Sequence, residues 1–122
     1  MNIESLRDFC LSLPACTEDF PFDESTLVFR VGNKIFLLTD VDEGQSFNAK
    51  CDPERAIELR ELHPDSILPG YHMNKKHWNT VLLHADLDEH LLREMIRHSY
   101  ELIRNSLTKA QRLALDEAYG PL

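Results

Sequence analysis

The sequence is short of most features that mark a specialised chain. Its cysteines number three, and Cys10, Cys16 and Cys51 form no C-x-x-C pair. A disulfide framework, a zinc ribbon and a redox dithiol are therefore not expected, and the thiols read as reduced in a cytosol. Four glycines and six prolines in 122 residues are too few for a fibrous or low-complexity chain. No apolar run approaches the roughly 20 residues of a membrane span, and the opening stretch MNIESLRDFCLSLP carries acids, so the protein is expected to be cytoplasmic, neither exported nor membrane-embedded. Positive charge is scarce as well. Thirteen Lys and Arg face 21 Asp and Glu, a formal net charge of −8, which speaks against a general polyanion binder. There is no P-loop, no G-x-G-x-x-G and no G-x-S-x-G elbow. No catalytic residue, cofactor or enzymatic activity is expected.

What is present is the balance of a folded domain, with 43% hydrophobic and 28% charged residues. A chain of this length has enough buried surface for one core, so residues 1–122 are read as a single domain. Ile3, Leu6, Phe9, Cys10 and Leu13 recur at helical spacing behind Asn2, and Pro14 stops them. Thr26 to Val31 and Lys34 to Thr39 read as strands joined by the two-residue turn Gly32-Asn33. Ser46 to Lys50 alternates as a third strand. Asp52 as cap and Pro53 at the first position open a second helix whose Ala56, Leu59 and Leu62 are expected in the core and which His63-Pro64 ends. Ile67-Leu68 and Trp78 to Leu83 form a second hairpin with its turn at Asn74 to Lys76. A capping box Asp86-x-x-Glu89 introduces a long helix, and Thr108-x-x-Gln111 a last one that Gly120-Pro121 terminates. The order α-β-β-β-α-β-β-α-α, with strands joined by hairpins, predicts an α+β two-layer sandwich: an antiparallel sheet of about five strands with helices on one face.

Charge is unevenly spread. Acids crowd Glu18, Asp19, Asp23, Glu24 and Asp40, Asp42, Glu43, whereas Tyr71 to His84 holds two lysines, three histidines and no acid. Within that island Tyr71, His72, Asn74, Lys75, Lys76, His77 and Trp78 combine aromatic rings with cations, the pairing that stacks on bases while neutralising phosphate. The same residues also make an ordinary hairpin, with Asn74 at the turn, solvated lysines at the tip and Trp78 as an anchor. Lys34, Lys50, Arg55 and Arg60 are further cations that such a surface would recruit, although each reads individually as a solvated charge. His90, Glu94 and His98 at helical spacing, the pair His72 and His77, and the acids Glu18 to Glu24 are weak metal candidates, so no metal is expected. Cys51, just before a helix start, is either activated by the helix end or a buried packing residue, and the second reading is the simpler.

The stretches Thr17-Glu18-Asp19-Phe20-Pro21-Phe22, Thr26 to Gly32, Lys50-Cys51-Asp52-Pro53-Glu54, Ser99-Tyr100-Glu101-Leu102 and above all Gly70 to Val81 resemble the signature segments of the bacterial MmcQ/YjbR family. The resemblance implies an α+β domain shaped like type III secretion chaperones and CyaY-like proteins. Some members are described as DNA-binding through two hairpins that project like paired wings. The resemblance thus places the wings at Gly32-Asn33 and Asn74-Lys75-Lys76, with Lys34, Lys50, Lys75, Lys76, His77 and Trp78 on the contact surface, and it implies no catalytic residues. Three functions follow: DNA binding, a chaperone-like protein or peptide interaction, and a small molecule held by His72, His77 and Trp78. A monomer is expected.

Overall fold

The structure, a computed structural model, describes residues 1–84 and 87–120. Helix α1 (Ile3–Ser12) begins at Asn2, whose side chain accepts from the Ser5 amide while Ser5 bonds back, a reciprocal cap worth about 1 kcal/mol. Strands β1 (Thr17–Asp19), β2 (Thr26–Val31), β3 (Lys34–Asp40) and β4 (Ser46–Lys50) follow, then α2 (Pro53–Leu62), β5 (Ile67–Pro69), β6 (Trp78–Leu82), α3 (Glu89–Ser106) and α4 (Lys109–Tyr119). Every strand pairing is antiparallel, and the six strands lie in the order β1-β2-β3-β4-β6-β5.

The two-layer α+β architecture is as the patterning implies, with one strand more. Residues 17–19 have no apolar alternation and read as an acidic loop, yet they pair with β2, Thr17 opposite Arg30 and Asp19 opposite Val28. Their acids are held by cations from elsewhere. Arg7 on α1 reaches Glu18 at 2.8 Å, and Arg30 reaches Asp19 at 2.9 Å. Asp23 accepts from the Thr26 and Ser25 amides, which lowers its carboxyl pKa, so this run is a capped turn and no group of three or more metal-ligating side chains exists among the described residues. Phe20 and Phe22, in the loop that follows β1, are both exposed.

The β2–β3 turn places Gly32 at φ 56° and Asn33 at φ 69°, the left-handed pair of a type I′ hairpin. A bulge then sets Phe29 opposite Leu37 but Arg30 opposite Ile35. The extra residue is Phe36, and it lets Phe36 and Leu37 both enter the core. Phe36 meets Tyr100 of α3 edge-on, ring centres 5.6 Å apart.

Leu27, Phe29, Val31, Leu37, Phe47, Ala49 and Val81 form one core with Leu92, Met95, Ile96, Tyr100 and Ile103 from α3 and Leu6 and Cys10 from α1. On α2, Ala56 and Leu59 are buried, but Leu62 is 72% exposed. Six residues at 100° each carry Leu62 about 120° away from Ala56, off the apolar stripe. Helix α3 is capped by Asp88, which accepts from the His90 amide; the expected cap Asp86 and the terminator Pro121 lie outside the described residues. The Thr108–Gln111 capping box of α4 is present, and Arg104 pairs with Asp116 to tie α4 to α3.

The loop from β5 to β6 is closed by Gly70, whose amide donates to the Trp78 carbonyl at 2.9 Å. A Cβ on Gly70 would lie 2.8 Å from the Trp78 Cβ and 2.9 Å from its carbonyl oxygen, atoms of a paired strand that has little room to move. Gly70→Ala should therefore lower stability by about 1–3 kcal/mol, read as a shift of the urea unfolding midpoint, and an unchanged midpoint would show that the loop gives way freely.

Candidate nucleic-acid interface

Strand register decides which turns share an end of the sheet. Val31 faces Lys34 across the first hairpin, Leu37 faces Ala49, and Lys50 faces Trp78. The Gly32-Asn33 turn, the β4–α2 junction at Cys51-Asp52 and the 70–77 loop therefore all leave the sheet at the same end. Between the two hairpins lies a cleft of about 340 Å³ lined by Lys34, Lys50 and His77, with Asp52 and Pro53 of the α2 start and Leu102, Ile103 and Ser106 of α3. The Cys51 amide donates to the His77 carbonyl at 2.8 Å, which continues the β4–β6 ladder to the cleft wall. The Lys50 ammonium sits 5.5 Å from the centre of the Trp78 ring, a cation–π contact across the strands. Asp52 is the acid of this cleft, and its carboxylate accepts from the Arg55 amide as the α2 cap.

The rest of the island goes elsewhere. Asn74 builds the turn, its side-chain oxygen accepting from the Lys76 amide at 3.0 Å and its carbonyl from His77 at 3.1 Å. Lys75 folds back so that its ammonium donates to the Gly70 carbonyl at 3.3 Å. Lys76 is left exposed at the tip. Tyr71 and His72 pack against each other, ring centres 4.0 Å apart and planes tilted by 53°, beside a second cavity of about 500 Å³ on the sheet face that the helices leave open. Its floor is Asn48 and Thr80, joined by a hydrogen bond of 2.5 Å, and the Tyr71 amide donates to Thr80 at 2.9 Å. His72 and His77 thus line different cavities, because the backbone at His72 turns through φ 58° and sends its ring back over the sheet.

Residues 11–102 match the family model YjbR. The chain belongs to the YjbR family. It is similar to the uncharacterized protein YbdF of Escherichia coli O157:H7, 39% identical over 107 residues that cover 87% of each chain, and to the uncharacterized protein YjbR of Escherichia coli K12, 28% identical over 94% of this chain and 98% of that one. The crystal structure of the Deinococcus radiodurans protein DR2400 superposes with a TM-score of 0.87 at 46% identity, covering 93% of this chain and 86% of that one.

In this YjbR-family chain the cleft is locked from beneath by α3. The buried Ser99 hydroxyl bonds the Lys50 carbonyl, so the strand end carrying Lys50 is fixed to the helix. From the adjacent residue, the His98 Nε2 accepts the Asp52 amide at 3.2 Å and supplies a cap to α2. Cys51, beside them, is buried, and burial pushes its thiol up to about 11, so it packs and does not react at neutral pH. The sequence reading takes His98 only as a weak metal candidate and Ser99 only as part of a signature segment, and it assigns none of His98, Ser99 and Ile103 to this cleft. Each sits on a helix whose spacing marks an inward face but not which strand end that face will meet.

Burial, and then the Arg55 guanidinium, lower the His98 pKa, while Asp52, Glu101 and Glu94 pull it the other way. An unfolded histidine titrates near about 6.5 and the folded one below that, so the stability held by neutral His98 is complete above about pH 6.5 and is lost as pH falls through the folded value. Urea midpoints measured from about pH 7.5 down to 5 should fall more steeply for the wild type than for His98→Gln, which keeps an acceptor without a titration; parallel profiles would remove His98 from the acid response.

Proposed function

We propose that this protein is a DNA-binding module of the cytoplasm, acting as a monomer without cofactor or catalytic step. One observation carries the reading: two hairpins project from the same end of the sheet, and Lys34, Lys50 and His77 line a single cleft between them. The lysines are the phosphate contacts, each releasing counterions from the polyanion, and Trp78, already paired with Lys50, is the ring placed to stack on a base. The net charge of −8 acts against polyanion approach over most of the molecule, but in the cleft itself two lysines face one carboxylate, that of Asp52. Binding is confined to one end of the molecule, and repulsion elsewhere orients the approach.

The proposed contact set is narrower than the island. Lys34, Lys50, Lys76, His77 and Trp78 form it, whereas Asn74 and Lys75 shape the loop and Tyr71 and His72 belong to the other cavity. A second reading, a protein or peptide interaction module, is favoured by that other cavity, whose walls include Leu38, Leu68 and Met73 on the helix-free face. Edge-strand addition suits it less, since β1 and β5 have three residues each and β5 ends on Pro69. A small molecule shared by His72, His77 and Trp78 loses its support, as the two imidazoles line separate cavities.

Trp78 is the one tryptophan, and its ring lies 5.5 Å from the ammonium of the cleft residue Lys50, so its fluorescence reports on the cleft through that contact. Titration with a single-stranded and a duplex oligonucleotide should give binding that weakens with salt, and Lys34→Gln with Lys50→Gln should reduce the salt slope by about 2 along with the affinity. Absence of binding to either oligonucleotide at low salt, checked by anisotropy of the labelled DNA, would overturn the reading in favour of a protein or peptide partner.

A further inference from the structure

A third cleft, of about 560 Å³, lies on the helix layer between Phe9 of α1, Arg55 of α2 and the outer face of α3 from His90 to Glu101. The first turn of α2 lends Asp52 and Pro53 to the DNA cleft and Arg55 to this one. Its cations are all arginines. Arg93 and Arg97 lie over the same Phe9 ring, at 5.2 and 5.7 Å from its centre, so two like charges at i and i+4 are held side by side on an aromatic platform. That spacing is unfavourable on a helix unless an anion joins the two groups.

The carboxylates nearby do not supply that anion. Glu94 is taken by Arg55 at 2.6 Å, the closest acid to Arg93 is Glu89 at 4.0 Å, and among the described residues Arg97 has no carboxylate within ion-pair distance. The Arg55 Nε is buried and has no hydrogen-bond partner, an uncommon state for a charged donor. Three guanidinium groups therefore offer planar forks of N–H donors to one space, which His90 and His98 also line with imidazoles and Glu94 and Glu101 with carboxylates, so three cations face two acids. A guanidinium fork matches the paired oxygens of a phosphate, whereas the lysines of the sheet-end cleft act as point charges that suit a repeating backbone.

We infer that this arginine cleft is a binding site for the terminal phosphate of a small phosphate ester, separate from the DNA-binding surface and independent of it. A monoester presents three oxygens and close to two negative charges, enough to bridge Arg93 and Arg97 while Arg55 reaches a third acceptor. The cleft volume lies within the range of small-molecule sites.

The test is a titration of isotope-labelled protein with sodium pyrophosphate at low ionic strength, followed by the backbone amides of α3 and the arginine Nε–H signals. Saturating shifts confined to residues 90–101, Phe9 and Arg55 are expected. Affinity should fall by about tenfold or more in Arg93→Gln, Arg97→Gln and stay unchanged in Lys34→Gln, Lys50→Gln. Arg97→Gln alone, which leaves Arg93 on Phe9, gives a partial loss and serves if the double variant does not fold. Shifts that never saturate, an affinity indifferent to the arginines, or one that depends on Lys34 and Lys50 would each overturn the assignment. The last would mean that pyrophosphate merely occupies the DNA cleft. Failure of oligonucleotide binding leaves this result unaffected, since the two variants separate the sites.

Discussion

Tyr100 stands fully buried in the middle of α3, and its hydroxyl donates to the Pro14 carbonyl, 86 residues earlier in the chain. Its ring edge meets Phe36, the bulged residue of β3, and its neighbour Ser99 bonds the carbonyl of Lys50 at the end of β4. Through two adjacent residues one helix is therefore fixed to the α1–β1 junction, to the irregular point of the sheet and to the strand that carries a cleft lysine. Burial pushes the Tyr100 pKa up, so the hydroxyl stays a donor across the physiological range. The apolar stripe of α3 supplies much of the adhesion between layers, while these polar bonds select one docking of the helix on the sheet, since a shift along the axis would leave buried groups unpaired.

Both clefts inherit their shape from that docking. At the sheet end, α3 closes the gap between the hairpins with Ile103 and Ser106, and without it Lys34 and Lys50 would stand at an open end of the sheet. On the outer side the same helix presents Arg93 and Arg97 to Phe9. A chain with an excess of acid thus keeps two cationic hollows, one built from lysines on strands and one from arginines on helices. The difference in side chain matters physically. Ammonium groups on flexible stems tolerate varied backbone geometry, and guanidinium groups held against a ring are ordered in advance for one oxyanion.

Much of the local structure was legible. Asn2, Asp52 and Thr108 announce helix starts because their short side chains satisfy amide donors that the helix itself leaves free. Gly32-Asn33 announces a tight hairpin because both residues tolerate a left-handed backbone. Strand β1 was not legible: its three residues carry no pattern, and it exists because Val28 to Arg30 offer a free edge and Arg7 and Arg30 offer counter-charges. Leu62 misled because spacing of three drifts off a helical stripe within two steps.

The island from Gly70 to Val81 shows where sequence stops and tertiary structure begins. Composition alone marked it as the cationic, aromatic part of an acidic chain, and strand alternation with the hairpin turns determined that its ends would pair. Both depend on interactions between residues close in sequence. Which side chains share a space was decided by register between β4 and β6, which set Lys50 against Trp78, and by the left-handed turn at His72, which sent Tyr71 and His72 to the opposite cavity. The arginine cleft is the stronger case, for Phe9, Arg55 and Arg93 come from three helices with no common motif. Their meeting is a consequence of how the helices pack on one sheet face, and packing angles and offsets are set by the whole core and not by any one segment.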